Sequence, residues 1–174
     1  MKSLKKKLES SFDNIRVDIT KDNRLTITIK KDGIISILSF LKKLGYEHLA
    51  LISCVDWIEE NEFELVYILS AYMENDKEYT EKEKRSIIIK TRISREKAEF
   101  MTIINIFENA EPYERELHEL FGINFEGHPR LTPLFLEREY EIPPFRKDFD
   151  TRKYVKDVFD KIPTIEEREK NENH

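Results

Sequence analysis

Proline divides this sequence more sharply than any other residue. The first 111 positions contain none, and five of the six prolines (Pro129, Pro133, Pro143, Pro144 and Pro163) fall after residue 128. Proline breaks helix interiors and cannot donate to a strand ladder, so long uninterrupted elements belong to the part before it. Periodicity agrees: apolar spacing is regular up to about residue 121 and fades beyond it. The chain therefore divides into a compact domain over 1–121 and an extended, partner-binding arm and tail over 122–174. Long loops without periodicity are uncommon in compact domains and usually bind something.

Within the first part, a short basic helix (SLKKKLESSF) precedes NIRVDIT and RLTITIK, which alternate apolar and polar residues across the turn KDN. They predict a hairpin with one buried face. GIISILSFLKKLG sets Ile34, Ile37, Leu38, Leu41 and Leu44 on one stripe and stops at Gly45, as a helix does. HLALISCVDW and EFELVYILSAY, joined by IEENE, predict two strands, and RSIIIKTRI another beyond the polar loop NDKEYTEKEK. Ser94 then caps a predicted helix over REKAEFMTIINIF. Asn109-Ala110-Glu111 ends it, and Pro112, in a first helical turn, opens the next helix. The sum is an α+β fold: one domain with a mixed or antiparallel sheet of about five strands packed by helices, followed by the arm. At the far end, TIEEREKNENH offers a capping box (Thr164, Glu167) but little apolar content.

Charge and cysteine content exclude several classes. Charged residues make up 37% of the 174 positions and the net charge is −5, which gives no general attraction to nucleic acid. The single cysteine, Cys54, forms no internal disulfide, and its apolar neighbours predict a buried, inert thiol. The basic start lacks the apolar stretch of a signal peptide. No apolar run approaches the roughly 18 residues of a membrane span. Glutamine is absent while lysine, glutamate and isoleucine abound, a bias typical of hyperthermophile proteins.

The helix YERELHELFG concentrates the candidate chemistry. Tyr113, Leu117, Leu120 and Phe121 form a stripe for burial. Glu111, Arg115 and Glu119 make an i, i+4 ladder on another face, and Glu114 lies one turn before His118. Two readings are open: a solvated, salt-bridged helix, or a face on which Glu114, Arg115 and Glu116 meet a partner's opposite charges. Gly122 supplies the left-handed cap at which the chain turns away. Glu114, His118 and His128 fall short of a zinc set, with no cysteine pair and only four histidines. His128 reads instead as a histidine bonded to backbone near Pro129.

Other routes to catalysis also lack a part. No Gly-x-Ser-x-Gly elbow occurs, and the four glycines form no phosphate loop. One cysteine cannot hold an iron–sulfur cluster. FRKDFDTRKYVKD interleaves cations with aromatics, as single-stranded nucleic-acid binders do. There Asp148, Asp150 and Asp157 alternate with the cations, and an intramolecular ion-pair cluster is the competing reading. These gaps point to a structural or docking subunit.

Glu114-Arg115-Glu116, then Glu119-Leu120-Phe121-Gly122-Ile123, then Gly127-His128-Pro129 resembles the signature of the 30 kDa (C-type) subunit of respiratory complex I. The same signature marks its relatives in energy-converting, membrane-bound nickel–iron hydrogenases and similar ferredoxin-linked complexes. Arg146-Lys147-Asp148-Phe149 is similar to that family's second landmark, and SCVDW and FELVYIL to its central hairpin. The resemblance covers residues 30 to 150. Thr132 stands where the family commonly carries a basic residue. Ile142-Pro143-Pro144-Phe145 replaces the second Gly-His-Pro-Leu of many complex I members, a form closer to the hydrogenase-type and archaeal branch.

The resemblance implies a subunit without catalytic residues, metal or cofactor of its own, on the cytoplasmic side of the membrane and peripheral to it. Its implied partners are a hydrogenase-like large subunit and a small iron–sulfur subunit, which would hold the iron–sulfur clusters and any nickel–iron centre. Glu114, Arg115, Glu116, Glu119, Gly122, His128, Pro129, Arg146, Lys147, Asp148 and Phe149 are the implied interface residues. A quinone-reducing complex I or a sulfur-reducing relative would use the same scaffold. A stand-alone binder of single-stranded nucleic acid is the reading from another class.

Overall fold

In the computed structural model, residues 1–71, 85–136 and 140–158 are described. The polar segment 75–84 and the capping-box tail thus lie outside the described residues. The chain runs α1 (Lys2–Ser11), β1 (Arg16–Lys21), β2 (Arg24–Thr28), α2 (Ile34–Lys43), β3 (His48–Trp57), β4 (Glu62–Ala71) and β5 (Arg85–Ser94). It continues through β6 (Glu99–Met101), α3 (Ala110–Phe121), β7 (Asn124–Glu126) and α4 (Thr151–Val158).

Five strands form one mixed sheet in the order β1-β2-β5-β4-β3. Within it β2 and β5 pair in parallel, Leu25 opposite Ile87 and Ile27 opposite Ile89. The other neighbours are antiparallel. The predicted hairpin is therefore present, and α2 carries the chain from it to the opposite edge, β3. From there β3, β4 and β5 return by antiparallel steps to meet β2.

Period-two alternation decides which face is buried. Phe63, Leu65, Tyr67 and Leu69 of β4 are fully buried, in register with Ile93, Thr91, Ile89 and Ile87 of β5. The α2 stripe Ile34, Ile37, Leu38 and Leu41 belongs to the same cluster, each side chain wholly inside. Burial of this kind stabilises by about 1.5–3 kcal/mol per large apolar side chain. Alternate positions carry ion pairs on the other face: Lys90 to Glu64 at 2.9 Å and Arg92 to Glu62 at 2.8 Å. Gly45 closes α2 at φ 90°, with the Tyr46 N–H donating to the Leu41 carbonyl.

The helix predicted over REKAEFMTIINIF is not formed. Ser94 Oγ does accept the Lys97 N–H at 3.3 Å, as a cap would, but no helix follows. Instead Glu99–Met101 is β6, paired in parallel with β7, Phe100 opposite Phe125. Two periods compete here. Phe100, Ile103, Ile104 and Phe107 mimic a helical stripe, yet Ala98, Phe100 and Thr102 are buried and alternate with exposed Lys97, Glu99 and Met101. The long-range pairing with β7 decides for the shorter period, and the β-branched run Thr102-Ile103-Ile104 gives a helix little to offset it. β7 runs to Glu126, with Ile123 and Phe125 buried. Over the described stretches 127–136 and 140–149 the arm is irregular apart from single turns, and α4 follows.

Candidate functional site

α3 lies against the edge strand β3 and is hung there by two side chains. Asn109 Nδ2 donates to the Leu49 carbonyl at 2.8 Å, and the Tyr113 hydroxyl to the Ala50 carbonyl at 2.9 Å. Leu117, Leu120 and Phe121 are buried, as their spacing predicts. The charged residues on the remaining faces then reach the rest of the chain.

Glu114 is wholly buried. Its carboxylate accepts the Thr102 hydroxyl at 2.6 Å and the Ile103 N–H at 2.7 Å, tying α3 to the turn after β6. Burial pushes its pKa up to about 7, against the pull of those two donors. Arg115 points the other way: Nε donates to the Thr132 carbonyl at 3.0 Å and an Nη to the Pro133 carbonyl at 2.9 Å. Glu119 then accepts the N–H groups of Leu134, Phe135 and Leu136. Partial burial alone would raise its pKa, but these three donors and Arg115 hold it below the ordinary carboxylate value. Arg115 and Glu119, one helical turn apart, thus take successive backbone groups of the arm, first carbonyls and then amides. Glu116 is half-buried, with no hydrogen bond or ion pair among the described residues.

Both histidines are held by backbone. His118 Nδ1 lies 2.9 Å from the Ile123 carbonyl. His128 Nδ1 accepts the Arg130 N–H at 2.9 Å, so Nε2 carries the proton toward the Glu111 carbonyl at 3.3 Å. Pro129, beside it, is exposed. Among the described residues no three histidine, cysteine or acidic side chains converge on one point. Cys54 is buried, its thiol pushed up to about 12 by burial first and the nearby Asp56 charge second.

The second landmark closes over the end of the sheet. Arg146 Nε donates to the Phe121 carbonyl at 2.7 Å, and the Phe145 N–H to the Leu120 carbonyl at 3.0 Å, capping the last turn of α3. Asp56 of β3 is at a core-facing position and almost wholly buried. It receives Arg95 in a two-pronged contact at 2.7 and 3.1 Å and the Lys147 N–H at 2.8 Å. Arg95 also donates to Asp148 at 2.6 Å, which holds the Asp148 carboxyl below its ordinary pKa. Phe149 packs against Tyr140 and Tyr154, ring centroids 5.8 and 5.6 Å away.

Gly122 is where the two halves of the clasp meet. It adopts φ 74°, and a Cβ there would stand 2.9 Å from Pro143 and 3.0 Å from an Arg146 nitrogen. Gly122→Ala is expected to destabilise the chain by about 1–2 kcal/mol from backbone conformation alone. Arg146 would be displaced as well. A lower urea midpoint with unchanged slope, together with faster amide exchange at Phe145, checks both.

The structure thus brings Glu114, Arg115, Glu119, Gly122, His128, Arg146, Lys147 and Asp148 into intramolecular contacts, Glu114 within the domain and the others between domain and arm. Asp56, Arg95 and Thr102 are members that motif reasoning missed. An acidic residue at a core-facing strand position is the signal that could have found Asp56, since a buried charge requires a partner. Three large apolar side chains of the pinned segment face outward: Phe135 and Phe145, 66% and 60% exposed, and Ile142.

A domain whose charged side chains hold its own arm in place, with apolar residues left outside, is built to be part of something larger. The relatives are such parts. The chain is 33% identical over 129 residues to the C-type subunit of F(420)H(2) dehydrogenase from Methanosarcina mazei, covering 73% of this chain and 76% of that one. It is 30% identical over 146 residues to the C/D-type subunit of the NADH-quinone oxidoreductase of Yersinia pestis, 78% of this chain but 23% of that longer protein. A solved chain of the membrane-bound sulfane sulfur reductase, an archaeal respiratory membrane complex, matches with TM-score 0.79 at 30% identity, covering 92% of this chain and 91% of its own. The trypsin-resistant fragment of Nqo5 shares the fold, TM-score 0.60 at 21% identity, covering 75% of this chain and 100% of its own. Residues 27–155 match the respiratory-chain NADH dehydrogenase 30 kDa subunit, and the chain belongs to that family. No helix among the described residues is long and apolar enough to cross a membrane.

Proposed function

We propose that this chain is a non-catalytic scaffold subunit in the peripheral arm of a membrane-bound, complex I-related redox complex. It docks on the large catalytic subunit and the small iron–sulfur subunit, on the cytoplasmic side. Iron–sulfur clusters, and in a hydrogenase-type version a nickel–iron centre, are held by those partners. The observation that carries the reading is the arm itself. It is fixed by Arg115, Glu119, Arg146 and Asp56 while Phe135, Ile142 and Phe145 stay outside. Exposed aromatics on a rigid backbone are what a hot-spot contact requires.

Two versions differ in the electron acceptor. The Pro143-Pro144 form supports a hydrogenase-type, ferredoxin-linked complex. The 30% identity across 92% of the chain to a chain of a sulfane sulfur reductase supports a sulfur-reducing relative. Affinity purification of this chain from detergent-solubilised native membranes, with metal analysis and mass spectrometry, separates them. Nickel and iron with a hydrogenase-like subunit is the first outcome, iron without nickel the second. A chain that elutes alone overturns the scaffold reading. Elution with nucleic acid would favour the binding-module alternative, which has less support because Tyr140, Phe149 and Tyr154 pack edge-on and tilted against one another.

Arg115→Ala is expected to reduce recovery of the large subunit severalfold while leaving the sheet folded. It removes the two hydrogen bonds to Thr132 and Pro133 and frees the arm around Phe135. Unchanged recovery, with amide exchange unaltered at 134–136, would count against that route.

A further inference from the structure

Most charged groups of the clasp are answered within the chain, and the exceptions lie together. Arg95 has both available carboxylates, Asp56 and Asp148. Arg146 packs on the same Phe63 ring as Arg95, their guanidinium carbons 5.2 and 5.5 Å from its centroid. Its own hydrogen bond goes to a neutral carbonyl, that of Phe121. Among the described residues neither Arg146 nor Lys147 has a carboxylate within ion-pair distance. Lys147 contributes only its backbone N–H to Asp56, and its side chain is exposed. A half-buried cation beside a second cation is held at a disadvantage: burial, and then Arg95, lower the Arg146 pKa, and the more distant carboxylates of Asp148 and Asp56 offset this only in part. A carboxylate brought from outside would relieve it.

Apolar side chains held by the clasp lie beside these cations. Phe145 meets Phe121 edge-on at 5.9 Å, its N–H is bonded to Leu120, and most of its ring is exposed. Ile142 is exposed beside the Pro143-Pro144 step. Two cations thus directly follow an aromatic residue whose backbone and ring are already held by the clasp, so little freedom is lost on binding.

Resting on the scaffold reading above, we infer that the tip Ile142–Lys147 seats in a partner-subunit surface made of an apolar pocket for Phe145 rimmed by carboxylates that meet Arg146 and Lys147. The complement is chosen by charge: the tip presents two cations that make no ion pair among the described residues, on a chain whose net charge is −5. Such a rim sets orientation and salt sensitivity more than bulk affinity.

The test uses the whole complex purified through a tag on this chain. A carbodiimide joins a lysine amine to a contacting carboxylate, losing water and forming an amide. The expected result is a cross-linked peptide pair joining Lys147 to an aspartate or glutamate of a partner subunit. Lys147→Glu is expected to release this chain from the detergent-solubilised complex on the order of tenfold more readily at moderate salt. Lys21→Glu, on the far edge strand, should behave as wild type. Because Lys147 contributes only backbone to the clasp, the variant keeps the fold, which its urea midpoint verifies. If wild-type chain brings partners but Lys147 remains uncoupled and Lys147→Glu keeps wild-type salt resistance, this inference fails while the scaffold reading stands. If wild-type chain brings no partners, the scaffold reading fails first. An effect of Lys147→Glu seen on membranes but absent from the solubilised complex would overturn the inference in favour of an anionic lipid surface.

Discussion

Asp56→Ala is expected to destabilise the chain by about 3–5 kcal/mol, the usual result of removing one partner from a buried ion pair. The carboxylate answers three donors on two segments: the Arg95 guanidinium twice and the Lys147 N–H once. Without it Arg95 remains almost wholly enclosed, with only the more exposed Asp148 to balance it. The loss has two separable parts. Urea unfolding reports the global term as a lower midpoint. Amide exchange at Lys147 reports the local one, rising well beyond what global unfolding explains. Asp56→Asn keeps the shape and one acceptor, so it should recover part of the local protection but little of the charge balance. A wild-type midpoint in Asp56→Ala would show that Arg95 and Asp148 hold the tip unaided.

Glu114 gives the second large effect, as a dependence on pH. Its carboxyl lies at about 7 in the folded chain against an ordinary 4.5. The folded state therefore binds its proton more tightly than the unfolded state does. Stability from this group is fully present below pH 4.5 and is lost as pH rises through 7. At about 1.4 kcal/mol per pH unit the difference amounts to about 3 kcal/mol between the two limits. Thr102, Ile103, Glu111 and the buried phenol of Tyr67 surround the group, and none of them is a cation. Glu114→Gln keeps an oxygen for the Ile103 N–H and offers an N–H to the Thr102 hydroxyl, with no charge to desolvate. Its stability is expected to be flat between pH 5 and 8 and to exceed wild type at pH 8. Unfolding midpoints at pH 5, 6, 7 and 8 decide the matter, and parallel profiles for the two proteins would refute it.

Much of this is legible in the residues, and the failures have physical causes. The hairpin, α2 with its Gly45 stop, and β3 to β5 follow from one clean period each. β6 does not, because Phe100-Ile103-Ile104-Phe107 and Ala98-Phe100-Thr102 satisfy two periods, and only Phe125, far along the chain, chooses between them. Glu114 is legible as important and illegible as buried. Helical spacing sets it beside charged neighbours, and nothing local shows that Thr102 and Ile103 are waiting for it. Its place in the motif marks it for an interface, and the structure gives its carboxylate two donors from its own chain. Spacing sets Arg115 and Glu119 in a ladder along one helix face, yet of that ladder only Arg115–Glu111, at 3.4 Å, is made as an ion pair. Backbone groups of a proline-rich segment are poor in regular partners of their own, so they compete successfully for these side chains.

The parallel pairing of β2 with β5 has a consequence for the order of events during synthesis. β1 and β2 leave the ribosome early, yet the neighbour that covers the inner edge of β2 is not complete until Ser94 has been made. Contacts this distant in sequence slow folding, because a long loop must close before they stabilise anything. The nascent hairpin therefore waits with Leu25 and Ile27 without their final neighbours while α2, β3 and β4 are added. The arm, which needs Asp56, Arg95 and α3 all in position, can attach only last.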